Sequence, residues 1–177
     1  MNKIVLRGFG ILSIVLIGAA LRLVPHPANF SPIGAMALFG GAMLATTTSA
    51  HRSLALLLPL AALFLSDLVL GFHSSMPAVY VAFLVVGLIG MLMGSKASIA
   101  RLAGGSLSGS FVFYAITNFA VWAQSGMYAK TGAGLVECYV AALPFLQNAL
   151  AGDLFFTAVF FGAWALVEKA VPQLRVA

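Results

Sequence analysis

Charge is what this sequence has least of. Only 7% of its 177 residues are charged, nine Lys or Arg and four Asp or Glu, against roughly a quarter in a soluble domain. So few charges cannot clothe a water-exposed surface, and most of the outside must face lipid. Cysteine occurs once, at Cys138, which excludes an intrachain disulfide and any multi-cysteine metal site. Beside Glu137, with no cation nearby in sequence to lower its pKa, that thiol is expected to be inert. A Walker lysine and a glycine-rich phosphate loop are missing, so the chain hydrolyses no nucleotide by itself. There is no G-x-S-x-G, and all three histidines lie in or next to loops rather than within a helix. A rhomboid-like protease, and enzymatic activity in general, are not expected. The basic residues are scattered in ones and twos, so the net charge of +5 forms no patch for nucleic acid.

What is present is apolar: 62% of residues, with a mean hydropathy of +1.09. At about 20 residues per span, the expected architecture is all-α, a single transmembrane domain over 1–177 built as a six-helix bundle. The spans fall at about 4–24, 32–48, 54–70, 77–94, 104–123 and 145–167. Pro25, His26 and Pro27 stop the first, because proline removes a backbone donor. Lys3 and Arg7 before this run also resemble a signal peptide, but its length and the equally apolar second run favour an uncleaved span. Small residues at Ala37, Gly41 and Ala45, the second run extending through Thr46 to Thr48, and at Gly105 and Gly109 predict close-packing helix faces. Residues 124–144 are too many for a connector and predict a structured loop with a short interfacial helix.

Six spans put both termini on one side. That side then holds Lys3, Arg7, Arg52, Lys96, Arg101, Lys169 and Arg175, against Arg22 and Lys130 on the other: seven against two. Positive residues stay in the cytoplasm, which predicts a multi-pass protein of the bacterial inner membrane with cytoplasmic termini and residues 25–31, 71–76 and 124–144 outside.

The residues that lipid tolerates least map to the outer loops or outer half-spans, and the cytoplasmic half is expected to hold no comparable set. Asp153 lies about 12 Å into its helix at 1.5 Å per residue. An ionised Asp within a span costs about 2.5 to 3.5 kcal/mol, so Asp67 and Asp153 should face a polar cavity or a partner. The expectation is an outward-facing pocket for a small solute. His26, Asn29, Asp67 and His73 would form one wall, and Asn118, Trp122, Lys130, Asn148 and Asp153 the other. The blander readings are an Asp67 clamp with Arg22 or Lys130, Asn118 and Asn148 as interhelical hydrogen-bond glue, and Trp122, Tyr128 and Tyr139 as an aromatic belt.

Residues 22–42, RLVPHPANFSPIGAMALFGGA, resemble the opening of a family of small bacterial membrane proteins of unknown function. LPLAALFLSD ending at Asp67, TNFAVW ending at Trp122, SGMYAK ending at Lys130 and LAGDL ending at Leu154 extend the likeness along the chain. More distantly, six short helices and a proline-containing first outer loop are similar to substrate-binding subunits of energy-coupling-factor vitamin transporters. That resemblance implies an outward-facing binder of a vitamin-like solute that topples in the bilayer, driven by a transmembrane coupling protein and two ATPases. The A-x-x-x-A face that such subunits present on helix one is missing here, since Gly10 is followed four residues later by Ile14. In a solitary cobalamin-binding member a cysteine after helix three ligates cobalt; this chain has His73 in that loop, a metal ligand only if the solute is a cobalamin. No resident cofactor is expected. The rival expectation is a non-transporting membrane adaptor that stabilises a larger complex through the small-residue faces of helices two and five.

Overall fold

The computed structural model describes residues 3–44 and 49–175, with the side chains at 3–5 and 49–55 left aside. Among these residues are seven α-helices, one 3-10 turn and no strand: α1 Lys3–Leu21, α2 Ile33–Leu44, α3 Ser49–Leu70, α4 Met76–Met93, α5 Ile99–Gln124, α6 Gly132–Ala141 and α7 Leu143–Ala170. Six of them follow the six apolar runs, and α6 is the short helix expected between residues 124 and 144. The extension of the second run through Thr46 to Thr48, and Ala45 with it, lies outside the described residues.

Local chemistry moves several boundaries. The first helix ends at Leu21 rather than Val24, because the last turn tightens into bonds from Leu23 N–H to Ala20 O and from Val24 N–H to Leu21 O ahead of Pro25. The fifth starts at Ile99, five residues before the expected 104, because the Ser98 hydroxyl caps it by accepting from the Arg101 N–H at 3.3 Å. Pro77 and Pro144 sit in the first turns of α4 and α7, where the missing N–H costs nothing.

Three helices, Met76–Met93, Ile99–Gln124 and Leu143–Ala170, are long and apolar enough to cross a membrane. Their outward faces carry large bare side chains, with Leu92 87% exposed, which marks a membrane protein. Leu6–Leu21 and Leu56–Leu70 are shorter apolar stretches.

At the centre stands α2. All of its residues from Ile33 to Met43 are buried, and it touches α1, α3, α4, α5 and α7. A helix apolar all round must be surrounded on every side. Backbones meet most closely against α4: a Cβ at Gly41 would lie 2.1 Å from the Gly87 carbonyl oxygen, and one at Gly90 would lie 2.2 Å from that of Leu38. Gly105 and Gly109 likewise turn toward α4, onto Met93 and Val86. Both small-residue faces are thus used within the chain.

Arg22, just past α1, reaches Asp67 near the end of α3, and Tyr80 near the start of α4 reaches the same carboxylate. Arg7 near the start of α1 reaches Glu168 near the end of α7. α1 and α3 therefore end on the side of the bundle where α4 starts, and α7 ends on the side where α1 starts. One end, the loop end, collects the segments around residues 22–32, 71–75 and 125–131. The other, the basic end, collects Arg7, Lys96, Arg101, Lys169 and Arg175.

Candidate functional site

A cavity of about 520 Å³ opens at the loop end. Its mouth is made of His26, Ala28, Asn29 and Ser31 from the first loop, His73 and Ser75 from the second, and Met127 and Tyr128 from the third. Deeper, Val79 and Phe83 of α4 face Phe113, Thr117, Asn118 and Val121 of α5, with Phe145 of α7 completing the apolar wall. Phe83 and Phe113 stack with ring centroids 4.9 Å apart. Such a volume, with apolar walls and a few polar groups, lies within the range of small-molecule pockets.

Each residue expected at the site has a definite place. His26, Asn29, His73 and Asn118 line the cavity; Asp67, Trp122, Lys130, Asn148 and Asp153 do not. The two aspartates and Asn118 thus do not converge on one hollow. Asp67, 1% exposed, lies behind the cavity in a closed network. Its Oδ1 accepts from Arg22 Nη1, its Oδ2 accepts from the Tyr80 hydroxyl at 2.7 Å, and Arg22 Nη1 also donates to Ser66 Oγ at 2.6 Å. Arg22 itself lines the cavity.

Asp153 serves the start of α2. Its Oδ2 accepts from Ser110 Oγ at 2.6 Å, and the Ala35 backbone N–H donates to the same carboxylate. A Cβ on Gly34 would fall 2.2 Å from Asp153 Oδ1, so only glycine lets the carboxylate seat there. A carboxyl oxygen at a helix N-terminus satisfies N–H donors that the helix itself leaves open.

The other three fix the loops around the mouth. Asn148 Nδ2 donates to the Ala28 carbonyl at 2.9 Å. Together with Phe30, packed on Phe155 and Phe156 at 6.1 and 5.7 Å, it ties the first loop to α7. That loop turns through Asn29, whose φ of 63° is left-handed and suits asparagine, and is closed by Phe30 N–H to Pro27 O at 3.0 Å. Trp122 Nε1 donates to Ala129 O at 2.9 Å, while the Lys130 ammonium donates to Trp122 O and lies over the indole at 5.5 Å. The third loop is thereby folded back on the end of α5.

The two loop histidines are bonded locally, His26 Nδ1 with Pro27 O at 3.0 Å and His73 Nδ1 with Ser75 Oγ at 2.8 Å. Among the described residues no group of three His, Cys, Asp or Glu has the arrangement to hold a metal ion.

α6 is latched to α5 by exchanged hydroxyls. Tyr114 donates to Tyr139 O at 2.5 Å, Tyr139 donates to Ala115 O at 2.6 Å, and the rings meet edge-on at 5.3 Å. Burial, and secondarily the neighbouring Cys138 and Tyr114, push the Tyr139 hydroxyl above its usual 10. Cys138 is itself buried, with its thiol toward Asn118 O at 3.4 Å.

The basic end holds a cluster that the sequence does not announce, contrary to the expectation of no comparable polar set there. Arg7, 7% exposed, donates through Nη1 to Glu168 Oε1 at 2.8 Å and to Leu174 O at 2.5 Å, and lies over the Trp164 ring at 5.1 Å. Trp164 Nε1 donates to the same Glu168 oxygen at 2.8 Å. The single available signal was the i, i+4 spacing of Trp164 and Glu168 on one helix face. Ser110 and Tyr80, which complete the two aspartate networks, gave no signal, since hydroxyls are common in membrane helices.

The model of a family of unknown function, DUF6580, matches residues 3–174. The chain belongs to that family. No curated protein matches the chain, and no solved structure matches it; neither comparison supports a likeness to energy-coupling-factor subunits.

Proposed function

We propose that this DUF6580 protein is a solute-binding uptake component of the bacterial inner membrane, with six spans and cytoplasmic termini, taking its ligand into the loop-end cavity from outside. The supporting observation is a cavity of about 520 Å³ at the end of the bundle opposite most of the basic residues. On the positive-inside rule that end faces outward. Of the three loops at its mouth, the first is held by Asn148 and Phe30 and the third by Trp122 and Lys130, which fixes much of the shape of the opening. Because the sequence has no nucleotide-binding motif, transport would draw on a coupling partner with ATPases or on an ion gradient. The polar lining lies at one end and does not run through the bundle as rings, which favours binding followed by a larger motion over an open pore.

The adaptor reading is less well supported. It rests on the small-residue faces of α2 and α5, and the glycines of those faces pack on α4.

The test is thermal unfolding of the purified protein against a panel of small solutes, with Thr117→Trp as a variant that fills the cavity. A true ligand at 100 times its Kd stabilises by about 2.7 kcal/mol, and T117W abolishes that shift while keeping the unliganded Tm close to wild type. A panel of diverse solutes without any shift would remove the basis for uptake.

A further inference from the structure

The charge around the cavity is one-sided. The chain has four carboxylates, and none lines the cavity. Asp67 is closed off by Arg22 and Tyr80, Asp153 by Ser110 and the Ala35 N–H, and Glu168 is at the other end with Arg7. Glu137 is exposed on α6 and does not itself line the cavity, although Cys138 and Ala141 beside it do. Facing the cavity are one permanent cation, Arg22, and two imidazoles, His26 and His73.

Arg22 is only partly engaged. Its bonds to Ser66 and Asp67 both use Nη1; among the described residues Nη2 and Nε have no partner. A guanidinium presents its donors as a planar fork that fits the two oxygens of a carboxylate. Ser66 and Asp67 together take up Nη1 and so orient the guanidinium, and the donors on Nη2 and Nε remain on a residue that lines the hollow. The apolar part of the lining, with Val79, Phe83, Phe113, Val121 and Phe145, presents no charge at all.

We infer that the ligand of this cavity is a small organic acid with a flat apolar body, its carboxylate on the free edge of the Arg22 guanidinium and its body against the Phe83 and Phe113 rings. The inference rests on the solute-binding reading above and names the chemical class it takes. The acid enters from water rather than from the bilayer, since the mouth is built of loop residues.

Matched probes test it: 3-phenylpropionate, its primary amide and the corresponding amine, with palmitate as the lipid-derived acid, titrated calorimetrically into detergent-solubilised protein. The expected order is the aryl acid at least tenfold tighter than amide or amine, with palmitate no tighter than the aryl acid. Because Arg22→Gln alone strands Asp67, the decisive variant is the double change R22Q/D67N, which removes both charges together. It should abolish the preference for acid over amide. Amide or amine binding as tightly as the acid would overturn the anion inference and leave the solute-binding reading intact. A preference for the acid that survives in R22Q/D67N would overturn the role of Arg22. Tighter palmitate would overturn entry from water. If no probe binds, and a wider panel of neutral and cationic solutes also fails, the solute-binding reading falls as well.

Discussion

At the residue scale, the loop-end polar residues divide into those that face the cavity and those that hold its surroundings, and this division makes predictions. Asp67→Asn leaves the guanidinium without its counter-charge in a closed network, so unfolding free energy in detergent should fall by about 3 kcal/mol; R22Q/D67N should recover most of that loss, as a double-mutant cycle would report. Tyr139 ionises late because partial burial against α5, and secondarily the neighbouring Cys138 and Tyr114, disfavour its phenolate. The native state therefore binds that proton more tightly than the unfolded chain, and stability should be constant below about pH 10 and fall as pH rises beyond it. Tyr139→Phe should lose the bond to Ala115 and flatten that alkaline decline, as followed by thermal unfolding across pH. Some of this was legible in the sequence. The pairing of Asp67 with Arg22 was one of two partners open to it, and the need of Asp153 for a partner followed from its depth. Which residue lined the cavity was not legible, because hydropathy records depth along a helix and not the direction a side chain takes around it.

At the element scale, the close approach of α2 and α4 gives the sharpest contrast. Gly41→Ala places a methyl against the Gly87 carbonyl, a backbone atom that cannot step aside; loss of the folded protein is expected, seen as aggregation on size-exclusion chromatography. Gly104→Ala meets nothing within 4 Å and should gain up to about 1 kcal/mol from helix propensity. The small-residue spacing of Gly105 and Gly109 announced a packing face, and α4 occupies it. The centrality of α2 was not announced. A buried helix and a lipid-facing helix are both apolar all round, so the same composition fits either position. The short helix α6 was legible because a polar, glycine-punctuated stretch of that length needs structure of its own.

At the scale of the whole molecule, the proposal of six spans with cytoplasmic termini predicts that the loop end is reached from the periplasm. In a Cys138→Ser background, Ser125→Cys should react with an impermeant maleimide in intact cells, and Ser98→Cys should react only after permeabilisation. The reverse pattern would invert the orientation and turn the cavity inward. The basic bias behind this orientation does not depend on the two arginines that the fold engages, since without them it stands at six against one. Arg7 is buried against Glu168 and Trp164 and serves the fold, and Arg22 serves the Asp67 network. Neutralising Arg7 should therefore lower stability more than it alters topology, whereas the exposed Arg101 is suited to a purely topological role.

The dependence of α2 on Asp153 also orders biogenesis. A ribosome completes the middle strut of the molecule long before it reaches the carboxylate that finishes the strut's leading edge, more than a hundred codons later. Until the final helix arrives, the nascent protein holds an uncapped segment in its interior, and a chain released early leaves the Ala35 donor without its carboxyl acceptor.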